Sequence, residues 1–365
     1  MTGRHSAAEG KGKGMKKVLL SSRRRRFVVA LVSAARSIVM ASVLALFASI
    51  RERRARRIRA VVAVGATGTL IASILLTGPS AVAAGDPVIA AAGDIACDPA
   101  DSFFNGGNGT STHCHEKYTA QQLVNGGFSK VLALGDTQYD CGGSAAYGQS
   151  YDPTWGAVKA KTSPVIGNHE YDTSGGTDCG RGGAGYFGYF GSIAGGPGGY
   201  YSFDVGTWHL IALNANCSQV ACKAGSAQET WLKNDLATHP ATCTLAFWHQ
   251  PRFSAGPSTL ANLLPFWNDL YAAHADVVLN GHKHNYQRLT KLDPSGKPDP
   301  NGIREWVVGT GGDDHSLGSK LFPGTEASDG KHFGILTMTL HPGSYDWQFI
   351  ADNGTVIDNG SAGCV

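Results

Sequence analysis

The stretch KVLALGDTQYD, residues 130–140, joins a short apolar run to a loop of polar side chains. Its first five residues are mostly aliphatic and are typical of a buried strand. Gly135 then ends the run, and the loop that follows carries a carboxylate at Asp136 and a phenol at Tyr139. Ligands gather at the carboxyl ends of the strands in open α/β sheets, so this loop predicts one wall of a ligand site.

Four other apolar runs along the chain also end in polar residues. They are PVIAAAGD (87–94), PVIGNHE (164–170), TLAFWH (244–249) and DVVLNGHKH (276–284). Taken alone, a Gly-Asp turn or a histidine behind a strand is often structural. Five strand ends that each carry a metal donor would be a large coincidence, so together they indicate one shared metal site.

The pattern between these runs predicts the fold class. Helical segments are expected at 119–125, 145–161, 227–238 and 260–273, and they alternate with the apolar runs. Such strands are expected to be buried on both faces, as in an α/β protein or an α/β/β/α sandwich. The hairpin predicted at 200–214 and the alternating residues 332–350 add antiparallel sections. The glycine-rich residues 175–199 predict a long surface loop near the site.

Residues 1–84 are predicted to be an export leader. Two apolar stretches, 27–50 and 61–84, each follow an arginine cluster, and the second ends in the small-x-small pattern Ala81-Val82-Ala83 of a signal-peptidase site. Cleavage there leaves one catalytic domain, residues 85–365, which is expected to be secreted. Export needs only one apolar stretch, and this chain has two. The alternatives are therefore a start near Met40, an extended n-region, a twin-arginine route and a retained membrane anchor.

Removal of the leader reverses the charge of the chain. Residues 1–84 hold 16 of the 31 lysines and arginines but only 2 of the 28 acidic residues, so the remainder has 15 basic and 26 acidic residues and a formal charge of −11. An acidic domain argues against a nucleic-acid-binding surface.

The cysteines favour an oxidising compartment. All eight follow residue 84, and an even number behind an export signal suggests four disulfides. Eight cysteines allow on the order of 100 pairings. Nearness in sequence suggests Cys97–Cys114 and Cys217–Cys222, which leaves Cys141–Cys179 and Cys243–Cys364. A zinc–cysteine site is the competing interpretation, but the chain has no Cys-x-x-Cys pair.

The type of donor narrows the choice of metal. The candidate ligands are Asp94, Asp136, Tyr139, Asn168, His249, His282 and His284. Carboxylates, an amide oxygen, a phenol and imidazoles suit iron, manganese, zinc or cobalt. Seven donors exceed the needs of one tetrahedral site, so two metal ions that share a carboxylate are the predicted cofactors. Two ions about 3.5–4 Å apart can clamp both oxygens of a phosphoryl displacement.

The blocks GD…GDxxY…GNHE…H…GHxH, over residues 91–286, resemble the calcineurin-like metallophosphoesterases, and among them the purple acid phosphatases. The resemblance implies a four-layer α/β/β/α sandwich of two mixed sheets flanked by helices. It also implies that Asp94, Asp136, Tyr139 and His284 hold a first metal and that Asn168, His249 and His282 hold a second. Asp136 would bridge the two ions. His169 resembles the histidine that contacts the substrate and protonates the leaving alkoxide, beside Asn168.

One departure from the wider family indicates the subgroup. Many metallophosphoesterases have Asp-x-His in the first block, whereas this chain has Asp94-Ile95-Ala96. Tyr139 stands where the purple enzymes place a tyrosinate, a hard anionic donor that favours Fe(III). The expected pair is therefore Fe(III) with a divalent Fe, Zn or Mn. The resemblance implies a bacterial, secreted form without the N-terminal β domain of the plant enzymes.

The predicted function is a secreted phosphatase that hydrolyses phosphomonoesters by in-line attack of a metal-bound hydroxide. A phosphodiesterase acting on nucleotides or phospholipid head groups is the alternative, because both reactions use the same ligands. A non-catalytic metal- or phosphate-binding protein is a more remote one. The expected partner is a small phosphate ester, with no stable membrane anchor after removal of the leader. Arg252, Asn285 and Tyr286 flank the ligands and are candidate substrate contacts.

Overall fold

The computed structural model describes residues 85–256, 260–318 and 320–365. The predicted leader and its alternatives, all within residues 1–84, lie outside the described residues. The strands are β1 (Val88–Ala92), β2 (Lys130–Leu134), β3 (Thr162–Val165), β4 (Tyr201–Val205), β5 (Trp208–Ala212), β6 (Cys243–Phe247), β7 (Val277–Asn280), β8 (Tyr286–Leu292), β9 (Ile303–Val308), β10 (Thr325–Asp329), β11 (Gly334–His341), β12 (Ser344–Ala351) and β13 (Val356–Gly363). The α-helices are α1 (Glu116–Asn125), α2 (Ser144–Ala146), α3 (Ala184–Phe190), α4 (Ala227–Thr238) and α5 (Leu264–Ala272).

The strands form two mixed sheets, as the sequence predicts. One sheet has six strands in the order β13-β12-β11-β1-β2-β3, and the other has seven in the order β10-β8-β9-β7-β6-β5-β4. Strands β1, β2 and β3 are parallel, and so are β5, β6, β7 and β9. In the seven-stranded sheet the parallel strands lie inside, in the six-stranded sheet they end at the edge strand β3, and antiparallel strands extend both sheets. Each sheet therefore has one edge where the carboxyl ends of several strands meet.

Two apolar clusters hold the layers together. Leu336 and Met338 of β11 share the larger cluster with Leu245 and Phe247 of β6, so this cluster joins the two sheets. Successive side chains of a strand point to opposite faces, and Ala246 accordingly belongs to the second cluster, with Phe266 and Trp267 of α5. Strand β6 is thus buried on both faces, which explains its unbroken apolar sequence.

The four disulfides are those suggested by the sequence: Cys97–Cys114, Cys141–Cys179, Cys217–Cys222 and Cys243–Cys364. The last of these joins β6 of the seven-stranded sheet to the residue that follows β13 of the six-stranded sheet. It is therefore a covalent link between the two layers. Cys97 and Cys141 lie close behind Asp94 and Tyr139, so two other disulfides tether loops that carry candidate ligands.

The prediction of a long surface loop at 175–199 is wrong in part. The segment contains α3 and two 3₁₀ turns, Gly191–Ala194 and Gly196–Gly198. Tyr186 and Phe190 of α3 are buried, and Phe190 meets the rings of Tyr147 and Tyr151 edge-on. The high glycine content hid an aromatic pattern that anchors the segment to the core.

Other elements also differ from the expectation. The segment 145–161 is broken into the end of α2, a π-helical turn (Tyr147–Tyr151) and a 3₁₀ helix (Trp155–Lys161). Strands β8, β10 and β13 were not predicted, because their sequences are polar and two of them lie at sheet edges. Among the described residues, no helix has the length and apolarity needed to cross a membrane.

Candidate metal centre

The structure brings all seven predicted ligands into one cluster. They follow β1, β2 and β3 of one sheet and β6 and β7 of the other, at the carboxyl ends of these parallel strands. Because the two sheets face each other across the main core, their strand ends supply loops to a common site. The seven side chains are Asp94, Asp136, Tyr139, Asn168, His249, His282 and His284.

The first half of the cluster contains a carboxylate, a phenol and an imidazole. The hydroxyl of Tyr139 donates to Oδ1 of Asp94 at 3.1 Å and lies 2.9 Å from Nε2 of His284. The same Nε2 is 3.2 Å from Oδ1 of Asp94. Three donor atoms from three loops thus point at one another, as ligands of one ion do.

The second half contains two imidazoles and an amide. Nε2 of His249 lies 3.1 Å from Oδ1 of Asn168 and 2.9 Å from Oδ2 of Asp136. The rings of His249 and His282 are 5.1 Å apart between centroids. One donor atom each from Asp136, His249 and His282 lies within 4.8 Å of the others, a spacing that could accommodate a metal ion.

Asp136 connects the two halves. Its Oδ2 lies 3.3 Å from the Tyr139 hydroxyl oxygen, and the same Oδ2 faces His249. Its Oδ1 accepts the backbone N–H of His169 at 2.9 Å, so the carboxylate is fixed in orientation. A carboxylate held between two donor groups has the position required of a bridging ligand.

Two of the imidazoles are held with Nε2 toward the cluster. Nδ1 of His249 donates to the carbonyl oxygen of Leu134 at 2.8 Å. Nδ1 of His284 bonds to the carboxylate of Asp314. A carbonyl or carboxylate that receives the Nδ1 proton fixes the tautomer in which Nε2 is free to bind metal.

The charge of the cluster also fits bound cations. Asp94 and Asp136 are 0% and 1% exposed, and among the described residues neither forms a salt bridge with lysine or arginine. Burial of unpaired carboxylates is costly, so such groups are normally paired or bound to metal. The donor set, with oxygen and imidazole ligands and no thiolate, matches iron, zinc or manganese.

The pKa shifts show the same demand for positive charge. Although burial acts to lower it, the Asp136 carboxylate raises the pKa of His249 to about 9. Burial likewise opposes the rise at His284, but Asp94 and Asp314 raise the pKa of that imidazole to about 11. Burial, together with Asp94 and Asp136, raises the pKa of the Tyr139 phenol well above its usual range. Protons on these groups balance the carboxylates, and bound cations would take their place.

The loops of the cluster have an unusual backbone and little free space. Asp94, Asp136 and His282 have φ angles of 60°, 44° and 69°, in the left-handed region that non-glycine residues seldom adopt. Such outliers concentrate at functional sites. A Cβ atom on Gly135 would lie 2.6 Å from Nδ1 of His249, and one on Gly281 would lie 2.6 Å from Oδ2 of Asp94. A larger residue at either position would therefore collide with a ligand.

His169 lies beside the cluster, on its solvent side. Its side chain is 30% exposed, and its ring centroid is 4.4 Å from that of Tyr139. Nδ1 donates to the carbonyl oxygen of Asp140 at 2.8 Å, which leaves Nε2 free. The residue is thus fixed next to the ligands with one ring nitrogen available.

Three residues near the ligands were not assigned a role from the sequence. Glu170 is buried and accepts the backbone N–H groups of Thr137 and Gly167, which joins the second and third ligand loops. Asp314 holds His284, and Asp313 lies 3.7 Å from the same ring nitrogen. The two aspartates follow β9, so the strand-end pattern that found the other ligands could also have found them.

The three predicted substrate contacts are not supported by the structure. The guanidinium of Arg252 donates to the carbonyl oxygens of Leu260 and Pro294. Tyr286 is buried in the core between the sheets, where its hydroxyl donates to Asp358. The amide of Asn285 donates to the carbonyl of Ser316 and accepts from Gln287. The terminal nitrogens of Arg252, the hydroxyl of Tyr286 and the amide of Asn285 thus bond to the framework around the site.

Comparison with solved structures places the fold among known ones. The chain resembles in fold a purple acid phosphatase from yellow lupin seeds (Lupinus luteus), with a TM-score of 0.56, 18% identity and coverage of 76% of this chain and 53% of that one. It also resembles PhoD, with a TM-score of 0.50, 13% identity and coverage of 77% and 69%. A third neighbour, described as GAP50, the anchor in the inner membrane complex of Plasmodium, has a TM-score of 0.53 at 14% identity and covers 77% of this chain and 90% of that one.

Part of the sequence is similar to purple acid phosphatases of plants. It is 34% identical to purple acid phosphatase 18 of Arabidopsis thaliana over 131 residues, which are 33% of this chain and 28% of that protein. It is 33% identical to purple acid phosphatase 15 of the same plant over 120 residues, 31% of this chain and 22% of that protein. The chain thus spans less than a third of the length of these relatives. No model of a protein family matches it.

Proposed function

We propose that residues 85–365 form a secreted phosphatase that holds two metal ions and hydrolyses phosphomonoesters, with residues 1–84 as its export leader. The observation that carries the proposal is the position of Asp136 between two groups of donors. The similarity to purple acid phosphatases supports the reaction class. Four disulfides support export, because such bonds persist mainly outside the cytosol.

The ligands divide into two sets in this proposal. Asp94, Tyr139 and His284 would hold one ion, Asn168, His249 and His282 would hold the other, and Asp136 would bridge them. When bound, the two ions would activate the attacking water and neutralise the charge on phosphate, as in other two-metal sites. Tyr139 as a hard anionic donor favours Fe(III) in the first position, with a divalent Fe, Zn or Mn in the second.

His169 would deliver the proton to the leaving alcohol. Its Nδ1 is held by the Asp140 carbonyl, so Nε2 is the nitrogen that can face a substrate. Its backbone N–H fixes the bridging carboxylate, so one residue both orients a ligand and borders the substrate. General acid catalysis of this kind contributes about 10²–10⁴-fold to a rate.

The fold alone does not establish catalysis. One structural neighbour is described as an anchor in a membrane complex, and unrelated functions often share a fold. A binding protein that keeps the scaffold is therefore the second candidate. The completeness of the donor set distinguishes the enzyme from the binding protein, since all seven side chains are present in one cluster. A complete ligand set favours the enzyme.

Asp136→Asn tests the proposal. We expect the variant to lose bound metal and more than ~100-fold in kcat/KM toward p-nitrophenyl phosphate, because loss of even an outer partner of a ligand costs about 10–100-fold. Metal content by elemental analysis and hydrolysis of p-nitrophenyl mono- and diesters are measured on the purified secreted protein.

The exposed Asp346→Asn is the matched control for this test, because it makes the same chemical change far from the cluster. Full activity with both metals retained in Asp136→Asn would sink the assignment. Faster hydrolysis of the p-nitrophenyl diester than of the monoester would identify the protein as a phosphodiesterase and contradict the phosphomonoesterase. Metal bound in the wild type without hydrolysis of either ester would favour the binding protein.

A further inference from the structure

A second group of imidazoles and carboxylates lies at the other end of the seven-stranded sheet. His209 is the second residue of β5 and is level with Thr244 of β6, whereas the candidate ligand His249 lies two residues beyond the end of β6. At about 3.3 Å per residue the two ends are roughly 15 Å apart. Asp235, in the last turn of α4, and His239, directly after the helix, complete the group.

The three side chains are arranged around one carboxylate. Nε2 of His209 lies 3.0 Å from Oδ2 of Asp235, and Nδ1 of His239 lies 3.1 Å from Oδ1 of the same residue. The two imidazole rings are stacked, 4.9 Å apart between centroids. One donor atom from each of the three residues lies within 4.8 Å of the others. This spacing allows all three to reach a single ion.

Further polar groups orient two of the three donors. Oδ1 of Asp204, the cross-strand partner of His209, accepts the Nδ1 proton of that imidazole at 2.7 Å. The hydroxyl of Ser202 donates to Oδ1 of Asp235 at 2.7 Å. A carboxylate on the far nitrogen of a histidine, and a hydrogen bond to a ligating carboxylate, are the usual outer partners of a protein metal site. The carboxyl end of helix α4 adds a partial negative charge.

We propose that His209, Asp235 and His239 form a second, separate site for one divalent ion, of which Zn²⁺ is the best match, and that the ion would displace the proton through which Nδ1 of His239 bonds to the backbone carbonyl of Asp235 at 3.0 Å. Two imidazoles and a carboxylate are zinc ligands, and three of them leave a fourth tetrahedral position for water. His239 is exposed, so an ion can enter from solvent, while His209 and Asp235 are buried. The site would pin the β4–β5 hairpin to the end of α4, and it does not depend on the proposed phosphatase function.

An ion-paired imidazolium is the competing interpretation. In that case His209 keeps both protons and simply bridges Asp204 and Asp235. His341 shows what such a bridge looks like elsewhere in the chain, because it contacts Asp86 at 2.5 Å and Asp346 at 3.1 Å. No second imidazole faces that histidine within the described residues, and no metal-ligand group includes it there. The second imidazole, His239, is what distinguishes the His209 cluster.

Zinc titration of the metal-stripped protein tests the proposal. Elemental analysis after gel filtration is expected to find one zinc ion fewer in His239→Ala than in the wild type, whatever number the ligand cluster at the strand ends retains. Zinc at about 100 times its Kd is expected to raise the Tm of the wild type by roughly 5 °C more than that of the variant. His341→Ala is the matched control, and its zinc count should equal that of the wild type.

The outcomes separate the two interpretations. Equal zinc counts and equal Tm shifts in the wild type and His239→Ala would overturn the site and leave an ion-paired imidazolium. Asp235→Asn, which removes the central carboxylate, is expected to lose the same single ion. Because the readout is a difference of one ion, a failure of the strand-end cluster to bind zinc does not affect it.

Discussion

The two histidine–carboxylate clusters of this protein use the same chemistry in different settings. The strand-end cluster draws donors from five loops of two sheets, and its carboxylates are almost completely buried. The His209 cluster draws donors from one strand and one helix end, and His239 is exposed. Five loops supply seven donors, which is enough for two ions, whereas the strand and the helix end supply three donors, which is enough for one ion.

The clusters also differ in how their charges are balanced. At the strand ends, Asp94 and Asp136 are almost completely buried, and only protons on His249 and His284 offset their charge when no cation is bound. At the other cluster, a protonated His209 offsets one of the two negative charges of Asp204 and Asp235, and Asp204 is exposed to water. Metal should therefore be essential at the first cluster and a stabilising addition at the second.

The largest expected difference is between His249→Ala and His239→Ala. His249→Ala removes a buried ligand and should lower kcat/KM by more than ~100-fold, because loss of an outer partner alone costs about 10–100-fold. His239→Ala changes an exposed residue at the other end of the sheet and should alter kcat/KM by less than about twofold. Steady-state assays with p-nitrophenyl phosphate measure both, and a similar loss in the two variants would break the comparison.

A smaller difference, in metal affinity, is expected when the carboxylates that hold Nδ1 of His284 and of His209 are changed. Asp314→Asn removes the negative charge of the group that holds His284 and should weaken metal binding at the strand-end cluster by about 10- to 100-fold. Asp204→Asn removes the partner of His209 and should weaken zinc binding only at the second site. Competition with a chelator gives both affinities. If Asp314→Asn bound metal as tightly as the wild type, the orienting role of Asp314 would be excluded.

The smallest effect on turnover is expected from Tyr139→Phe, which should mainly change the spectrum. Asp94, Asp136 and His284 remain as donors, so the metal should stay bound. A phenolate on Fe(III) should give a visible charge-transfer band in the oxidised wild type, and the variant should lack it. The His209 cluster contains no phenol and should contribute no band. A band that survives in Tyr139→Phe, or a colourless iron-loaded wild type, would contradict the assignment of Tyr139 as a ligand.

The predicted ligands were accessible from the sequence because they follow a local rule. Each stands in a loop that follows an apolar run, and Gly135 and Gly281 leave room for His249 and Asp94. Asp314 obeys the same rule behind β9 but was not recognised, because its role depends on contact with His284, 30 residues earlier in the chain. A contact of that range is fixed by the packing of the sheets and has no local pattern.

The predicted substrate contacts Arg252 and Tyr286 were not supported for the same reason. Arg252 is close to His249 in sequence, but its guanidinium is used by the carbonyls of Leu260 and Pro294. The strand that contains Tyr286 was not predicted, and this strand buries the ring between the sheets. The direction of a side chain near a site depends on which elements surround it, and sequence proximity does not supply that information.

The sequence by itself determined the type of fold and the chemical identity of seven candidate donors, and it suggested the disulfide pairs. The fold and the donors follow from the period of the apolar runs and from residue types at strand ends. Only the tertiary structure decided which of the roughly 100 cysteine pairings form, that Asp314 holds His284 and that His209, Asp235 and His239 meet. The physical reason is that strand periodicity is encoded locally, whereas the meeting of distant side chains depends on how two sheets and their helices pack.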